Sequence, residues 1–204
     1  MFKKALVIGV ISSIASFSLT AEESALSYTY AGIGYETGDI ADIDFSGFGI
    51  YGSKALNESF FITGSYLSIE SDDQFTDGFV TDEIEATGFN LGIGFHTPIN
   101  STVDFVSTLS YADAEVEFAD DSEDGNGYIL AAGVRALPSD VLELSDFIDY
   151  ADVDVDVDVD VDGGRETGYS LGARYFTTPD ISLGLGYGSS DDFDAITFDV
   201  RFDL

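Results

Sequence analysis

The segment "AITFDVRFDL" divides cleanly by parity: Ile196, Phe198, Val200, Phe202 and Leu204 on one side, Thr197, Asp199, Arg201 and Asp203 on the other. A period of two is the geometry of a β-strand, whose successive side chains point to opposite faces. The same pattern recurs upstream. In "NSTVDFVSTLSY", Val103, Phe105, Leu109 and Tyr111 oppose Thr102, Asp104, Thr108 and Ser110. "GYILAAGVRA" sets Tyr128, Leu130, Ala132 and Val134 against Gly133 and Arg135, and "GYSLGARY" sets Tyr169, Leu171, Ala173 and Tyr175 against Ser170, Gly172 and Arg174. In "DISLGLGYG" the apolar side is Ile181, Leu183, Leu185 and Tyr187, facing a side of serine and glycine.

Turn signals divide these segments. Pro98, Pro138 and Pro179 mark short turns about 40 residues apart, with "ALNES" around Asn57 a comparable distance before the first. Acidic stretches alternate with them and read as longer polar loops: "ETGDIADID", "ESDDQFTDGFVTDE", "FADDSEDGNG", an Asp-Val run and "GSSDDFD". Counting two strands per hairpin predicts ten, at 26–36, 43–54, 59–70, 83–96, 101–117, 127–137, 141–152, 166–177, 181–189 and 194–204. Eight strands is the nearest alternative, because the first three segments carry Gly and aromatic residues on both parities.

A soluble sandwich and a membrane barrel both alternate, so the character of each face must decide. The polar face is small and glycine-rich, as the interior of a narrow barrel requires. The apolar face carries large side chains, with Tyr111, Tyr128, Tyr150, Tyr169 and Tyr187 beside the acidic stretches. Such a belt fits a lipid–water boundary, where the ring is apolar and the hydroxyl reaches water. Closure supplies the rest, since a strand in lipid cannot leave backbone groups unpaired. The fold class expected is all-β: a transmembrane, antiparallel, up-and-down barrel of about ten strands.

The first residues, "MFKKALVIGVISSIASFSLTAEES", place Lys3 and Lys4 before an apolar run and small residues near Ala21, the layout of a secretory signal peptide. The predicted division is therefore a signal peptide at 1–21 and a barrel domain at 22–204. Removal of the signal leaves 5 Lys and Arg against 39 Asp and Glu, a net charge of about −34. That balance excludes nucleic acid, whose phosphates need cationic side chains. With no cysteine in the chain, neither a disulfide nor a thiolate metal site is available.

Taken together, the signal, short turns, long outer segments and alternating last strand resemble the small outer-membrane β-barrels of Gram-negative bacteria, the porin-like OmpA/OmpX type, over essentially the whole mature length. The resemblance implies residence in the bacterial outer membrane, contact with outer-membrane lipid and lipopolysaccharide, and short turns on the periplasmic side. It also implies recognition of the last strand by the barrel-assembly machinery, through Phe198, Val200 and Phe202. Family members usually end in an aromatic residue; this chain ends in Leu204. No peptidoglycan-binding domain is expected to follow.

Function is less legible. One histidine is present, His96, at the end opposite the acidic stretches, so a histidine base for chemistry on external substrates is misplaced, and neither an enzyme nor a cofactor is expected. Parity points Arg135, Arg174 and Arg201 inward together with His96, Asp104, Asp199 and Asp203, predicting a lumen charge cluster near the periplasmic mouth. Arginine suits that place because its planar fork pairs carboxylates and stays charged. Such a cluster is either a purely structural network or a constriction. The functional reading is a porin-like barrel with at most a narrow pore, serving envelope integrity or limited passive permeation. The alternative is a surface-binding or adhesion barrel that uses its acidic loops, with divalent cations as candidate partners.

The run "DVDVDVDVDVD", Asp152 to Asp162, is the least ordinary stretch. Leu142, Leu144, Ile148 and Tyr150 put the outward face on even numbers, whereas Val153 to Val161 are odd, so the valines cannot extend the lipid face without a bulge. The run is expected above the membrane as an extended hairpin, with Asp154, Asp156, Asp158, Asp160 and Asp162 as candidate cation-binding residues. Its end resembles an EF-hand loop through Asp158, Asp160, Asp162 and Gly163, but Tyr169 stands where that loop needs a glutamate. Specific calcium binding, diffuse cation binding and a ligand-free acidic hairpin all remain open.

Overall fold

The computed structural model describes residues 26–40, 43–77, 80–118, 121–155, 164–191 and 193–204. Its strands are β1 (Tyr30–Ile40), β2 (Ile43–Ala55), β3 (Phe60–Ser71), β4 (Phe75–Asp77), β5 (Val80–Asp82), β6 (Ile84–Asn100), β7 (Val103–Phe118), β8 (Asp121–Ser139), β9 (Leu142–Val155), β10 (Gly164–Thr178), β11 (Ile181–Ser190) and β12 (Phe193–Asp203). β4 and β5 form a separate two-stranded hairpin; the other ten close into an antiparallel barrel. Closure is between the first and last strands, from Tyr30 opposite Asp203 to Ile40 opposite Phe193. The ten-strand expectation holds, and among the described residues no barrel strand is left as an open edge.

At one end the connections are tight. Asn57 Oδ1 accepts from the backbone N–H groups of Ser59 at 2.9 Å and Phe60 at 3.0 Å, and Asn100 Oδ1 accepts from that of Thr102 at 2.9 Å. Short amides of this kind fold the chain back by replacing a backbone partner. Pro179 lies in such a turn, as expected. Pro98 and Pro138 do not: both lie within strands, at register shifts between Pro98 and Asn100 and between Ala136 and Ser139. A bulge tolerates a residue that cannot donate to the ladder.

Alternation puts Ile50, Leu91, Leu130, Ile148, Leu171, Leu183 and Phe198 on the outer face, all exposed. Aromatic rings band this face at two levels. Toward the loop end Tyr111 and Tyr128 meet edge-on at 5.9 Å, and Tyr169 lies 6.0 Å from Tyr187; toward the turn end Phe60 and Phe95 are 5.4 Å apart.

Two further expectations are corrected. The first strand is Tyr30–Ile40 rather than 26–36, because Leu26 and Tyr28 keep the period but turn into the barrel mouth, where they pack with Phe61, Val106, Leu137 and Phe147. The acidic stretches, moreover, are largely strand. β1 and β2 run through most of "ETGDIADID", and β7 and β8 extend to Phe118 and from Asp121. Their polar residues obscured a second alternation, in which acids such as Glu70, Glu85, Glu115 and Glu117 are exposed while Ile40, Phe45, Ile69, Ile84 and Val116 are buried. Toward the loop end the faces therefore exchange character: water-facing acids outside, an apolar core inside.

Candidate functional site

The lumen is built by β-strands that present glycine where a neighbouring strand presents a large inward side chain. A Cβ at Gly184 would collide with the Asp199 carboxylate, one at Gly172 with the Ser145 hydroxyl, and one at Gly94 with the Phe61 ring. The glycine-rich face of "LGLGYG" and "LGIGF" is thus the space into which the charged and aromatic groups of adjacent strands fit.

Three arginines occupy that space. Arg135 on β8 is fully buried and ion-pairs with Glu143 on β9. Arg201 on β12 reaches the same carboxylate, Nη2 to Oε2 at 3.4 Å, and Asp203 Oδ2 at 3.2 Å. Its guanidinium lies over the Tyr30 ring at 4.9 Å and the Phe176 ring at 5.4 Å, where the ring quadrupole favours a cation. Arg174 on β10 pairs with Asp199 at 2.8 Å and donates to Ser182 Oγ at 3.3 Å, while the Tyr51 hydroxyl donates to Asp199. Between these groups lies a cavity of about 80 Å³, lined by Tyr51, Arg135, Glu143, Arg174, Asp199 and Arg201 among others.

His96 and Asp104 form a pair beside the network, Nδ1 to Oδ2 at 3.6 Å, with Asp104 directly opposite Arg135 in the β7–β8 register. Tyr28 covers this pair. Its ring stacks on Phe61 at 4.2 Å and 14° and lies 4.0 Å from His96. Toward the loop end the network is roofed by the apolar cluster that includes Phe45, Leu67, Ile69, Ile84, Ala112 and Val153.

All seven residues of the expected lumen cluster point inward: His96, Asp104, Arg135, Arg174, Asp199, Arg201 and Asp203. They divide into the network of three arginines and the adjoining histidine pair. Glu143, the carboxylate shared by two arginines, was missed, although "LELSD" placed it inward between two outward leucines. Tyr51 was hidden by the mixed parity of "FSGFGIYGS", and Tyr28 and Tyr30 by the misplaced start of the first strand. The side chain of Asp154 and all of Asp156, Asp158, Asp160 and Asp162 lie outside the described residues. The described start of the run is nevertheless informative: Val153 is buried and Asp152 exposed, 3.2 Å from Arg165. β9 passes through both without a register shift, so the valine parity turns inward instead of needing a bulge. Among the described residues, no group of three or more His, Asp or Glu side chains is placed to hold a metal ion.

A family model described as outer membrane protein beta-barrel domain matches residues 7–203. Among solved structures, the β domain of the Bordetella autotransporter BrkA superposes with a TM-score of 0.53 at 9% identity, covering 86% of this chain and 98% of that one. The COG4313 outer membrane channel from Pseudomonas putida F1 gives 0.52 at 9% identity, with 92% and 97% covered, and the NanC porin gives 0.50 at 11%, with 86% and 100% covered. At these identities the likeness is one of fold. No curated protein matches the sequence.

Proposed function

The chain belongs to the outer membrane β-barrel domain family, a family of the bacterial outer membrane, and from that membership we propose that it is an envelope barrel with a closed resting lumen. Its short turns face the periplasm and its acidic strand ends rise from the cell surface. Solute passage is at most a narrow leak of water and small ions. The observation that carries this reading is the filling of the lumen at three successive levels: Tyr28 and Phe61 at the turn end, the arginine–carboxylate network in the middle, and the apolar cluster at the loop end. Barrels of about eight strands have interiors just wide enough for side chains, whereas porins of 16–18 strands leave an aqueous channel.

The surface-binding reading has its own support. The acids beyond the tyrosine belt stand on paired strands rather than on loops, with Glu85 directly opposite both Glu70 and Glu117. A rigid anionic wall of this kind attracts cationic partners without needing an open pore.

Planar-bilayer recording on the purified barrel tests the proposal. An electrically silent protein, or one giving only rare small steps, fits the closed lumen. Stable, ohmic channels of porin-like conductance would refute it.

A further inference from the structure

The charged side chains that line the lumen cavity are three guanidinium groups, Arg135, Arg174 and Arg201, and two carboxylates, Glu143 and Asp199. The arginines are not equally served. Arg174 spreads its Nη groups over Asp199, Ser182 and the Tyr51 hydroxyl. Arg201 has Asp203 on the turn side in addition to Glu143. Arg135 pairs with Glu143, a carboxylate it shares with Arg201, and Asp104, opposite it in register, pairs with His96. The Nε and Nη1 of Arg135 are buried and have no hydrogen-bond partner among the described residues, although the residue is fully shielded from solvent.

Buried polar groups are as a rule hydrogen-bonded, and an arginine fork can only donate. Two adjacent donors on one guanidinium therefore call for an acceptor from outside the chain. The cavity has room for one. Gly172, Gly184 and Gly186 line it without side chains, and a Cβ built at Gly186 would come no nearer than 3.5 Å to any atom. Its volume of about 80 Å³ takes an ion of a few atoms together with water. Ser145, which also lines the cavity, is the direct cross-strand partner of Arg135, so its hydroxyl stands beside the fork. On the loop side Thr197, another lining residue, donates to Glu36 at 3.2 Å, and that carboxylate keeps a negative ligand toward the Arg135 end.

We propose that the cavity is a binding site for a small monovalent anion of halide or formate size, held by Nε–H and Nη1–H of Arg135 and by the Ser145 hydroxyl. The anion supplies the acceptor that Arg135 lacks while it shares Glu143, and charge-assisted hydrogen bonds of this kind are the strong ones. It is a resident counter-ion of the network. The site goes beyond the closed-lumen reading and does not depend on whether the barrel conducts, so planar-bilayer recording and the tests below fail independently.

Because the ion is enclosed, it is loaded during folding. The full-length barrel is refolded and crystallised in sodium bromide at physiological ionic strength, and bromide is located by its anomalous scattering. The expected result is a peak in the cavity beside Arg135 and Ser145. In parallel, urea-unfolding midpoints in lipid vesicles are compared in chloride and in gluconate, which is too large for the cavity, at equal ionic strength. A ligand of the folded state raises the midpoint, so the wild type should unfold later in chloride. Gly186→Val fills the cavity from the glycine wall and leaves every charge in place; its two midpoints should coincide. Ser145→Val occupies the same space from β9 and serves if the first variant gives no heat-modifiable folded band. A cavity without bromide, a peak seen only in molar bromide, which would mean an adventitious ion only, or a chloride effect as large in the folded valine variants as in the wild type each overturns the proposal.

Discussion

Glu143 on β9 and Arg201 on β12 meet across the lumen at 3.4 Å, although β10 and β11 separate their strands around the barrel wall. The other oxygen of the same carboxylate holds Arg135 from the adjacent strand. One inward glutamate thus ties opposite arcs of the wall together. An ion pair of this kind is not a large net source of stability, because both charges have lost water; removing one partner is what costs.

Glu143→Ala should therefore be among the most damaging lumen substitutions, leaving two buried guanidinium groups without their shared carboxylate. The expected loss is about 3–5 kcal/mol, the range for breaking a buried pair. The midpoint of urea unfolding in lipid vesicles, followed by the heat-modifiable gel band, measures it. A shift no larger than that of Thr177→Ala, at the exposed turn end, would mean that the network does not hold the barrel.

The three fillings act in series, so opening one leaves the others. Tyr28→Ala alone should stay electrically silent in planar bilayers, because the arginine network and the apolar roof still close the path. Combining Tyr28→Ala with Glu143→Ala and Leu67→Ala should produce channels where no single variant does. Conductance from Tyr28→Ala alone equal to that of the triple variant would make Tyr28 the sole barrier.

Gly94 faces the Phe61 ring so closely that even a methyl group has no room. Gly94→Ala should push Phe61 off its stack with Tyr28 and cost about 1–3 kcal/mol, as overpacking does. Gly186, where a Cβ would come no nearer than 3.5 Å to any atom, is the contrast: Gly186→Ala should change the unfolding midpoint little.

The strand count, the lipid face and the inward arginines were legible because they depend on parity alone, and parity survives any tilt or closure of the sheet. What the sequence hid has two physical causes. Where an acid alternates with an apolar residue, as in "AEVEF", composition suggests a loop while the backbone remains a strand. The apolar residues of that stretch face a roofed interior that no single strand reveals. The partners of the charges were hidden for a different reason: Glu143 and Arg201 lie 58 positions apart, and only closure of the barrel brings them face to face.

The start of the Asp-Val run offers the sharpest test of parity. Val153 is fully buried in the apolar roof, opposite Gly127 on β8 and Gly164 on β10, where a Cβ at Gly127 would strike the backbone of Asp152 and Val153. Asp152, one residue earlier, is exposed and pairs with the exposed Arg165. Val153→Asp places a carboxyl among Ala112, Ile129 and Ala151 with no cation in that cluster, so it should destabilise the folded band strongly, by at least the roughly 2 kcal/mol that burying an unpartnered polar group costs. Asp152→Asn gives up only a solvent-screened surface pair and should shift the midpoint by less than about 1 kcal/mol. If the run were a loop without inward valines, the two substitutions would be equally mild; unfolding curves recorded side by side in the same vesicles distinguish the cases.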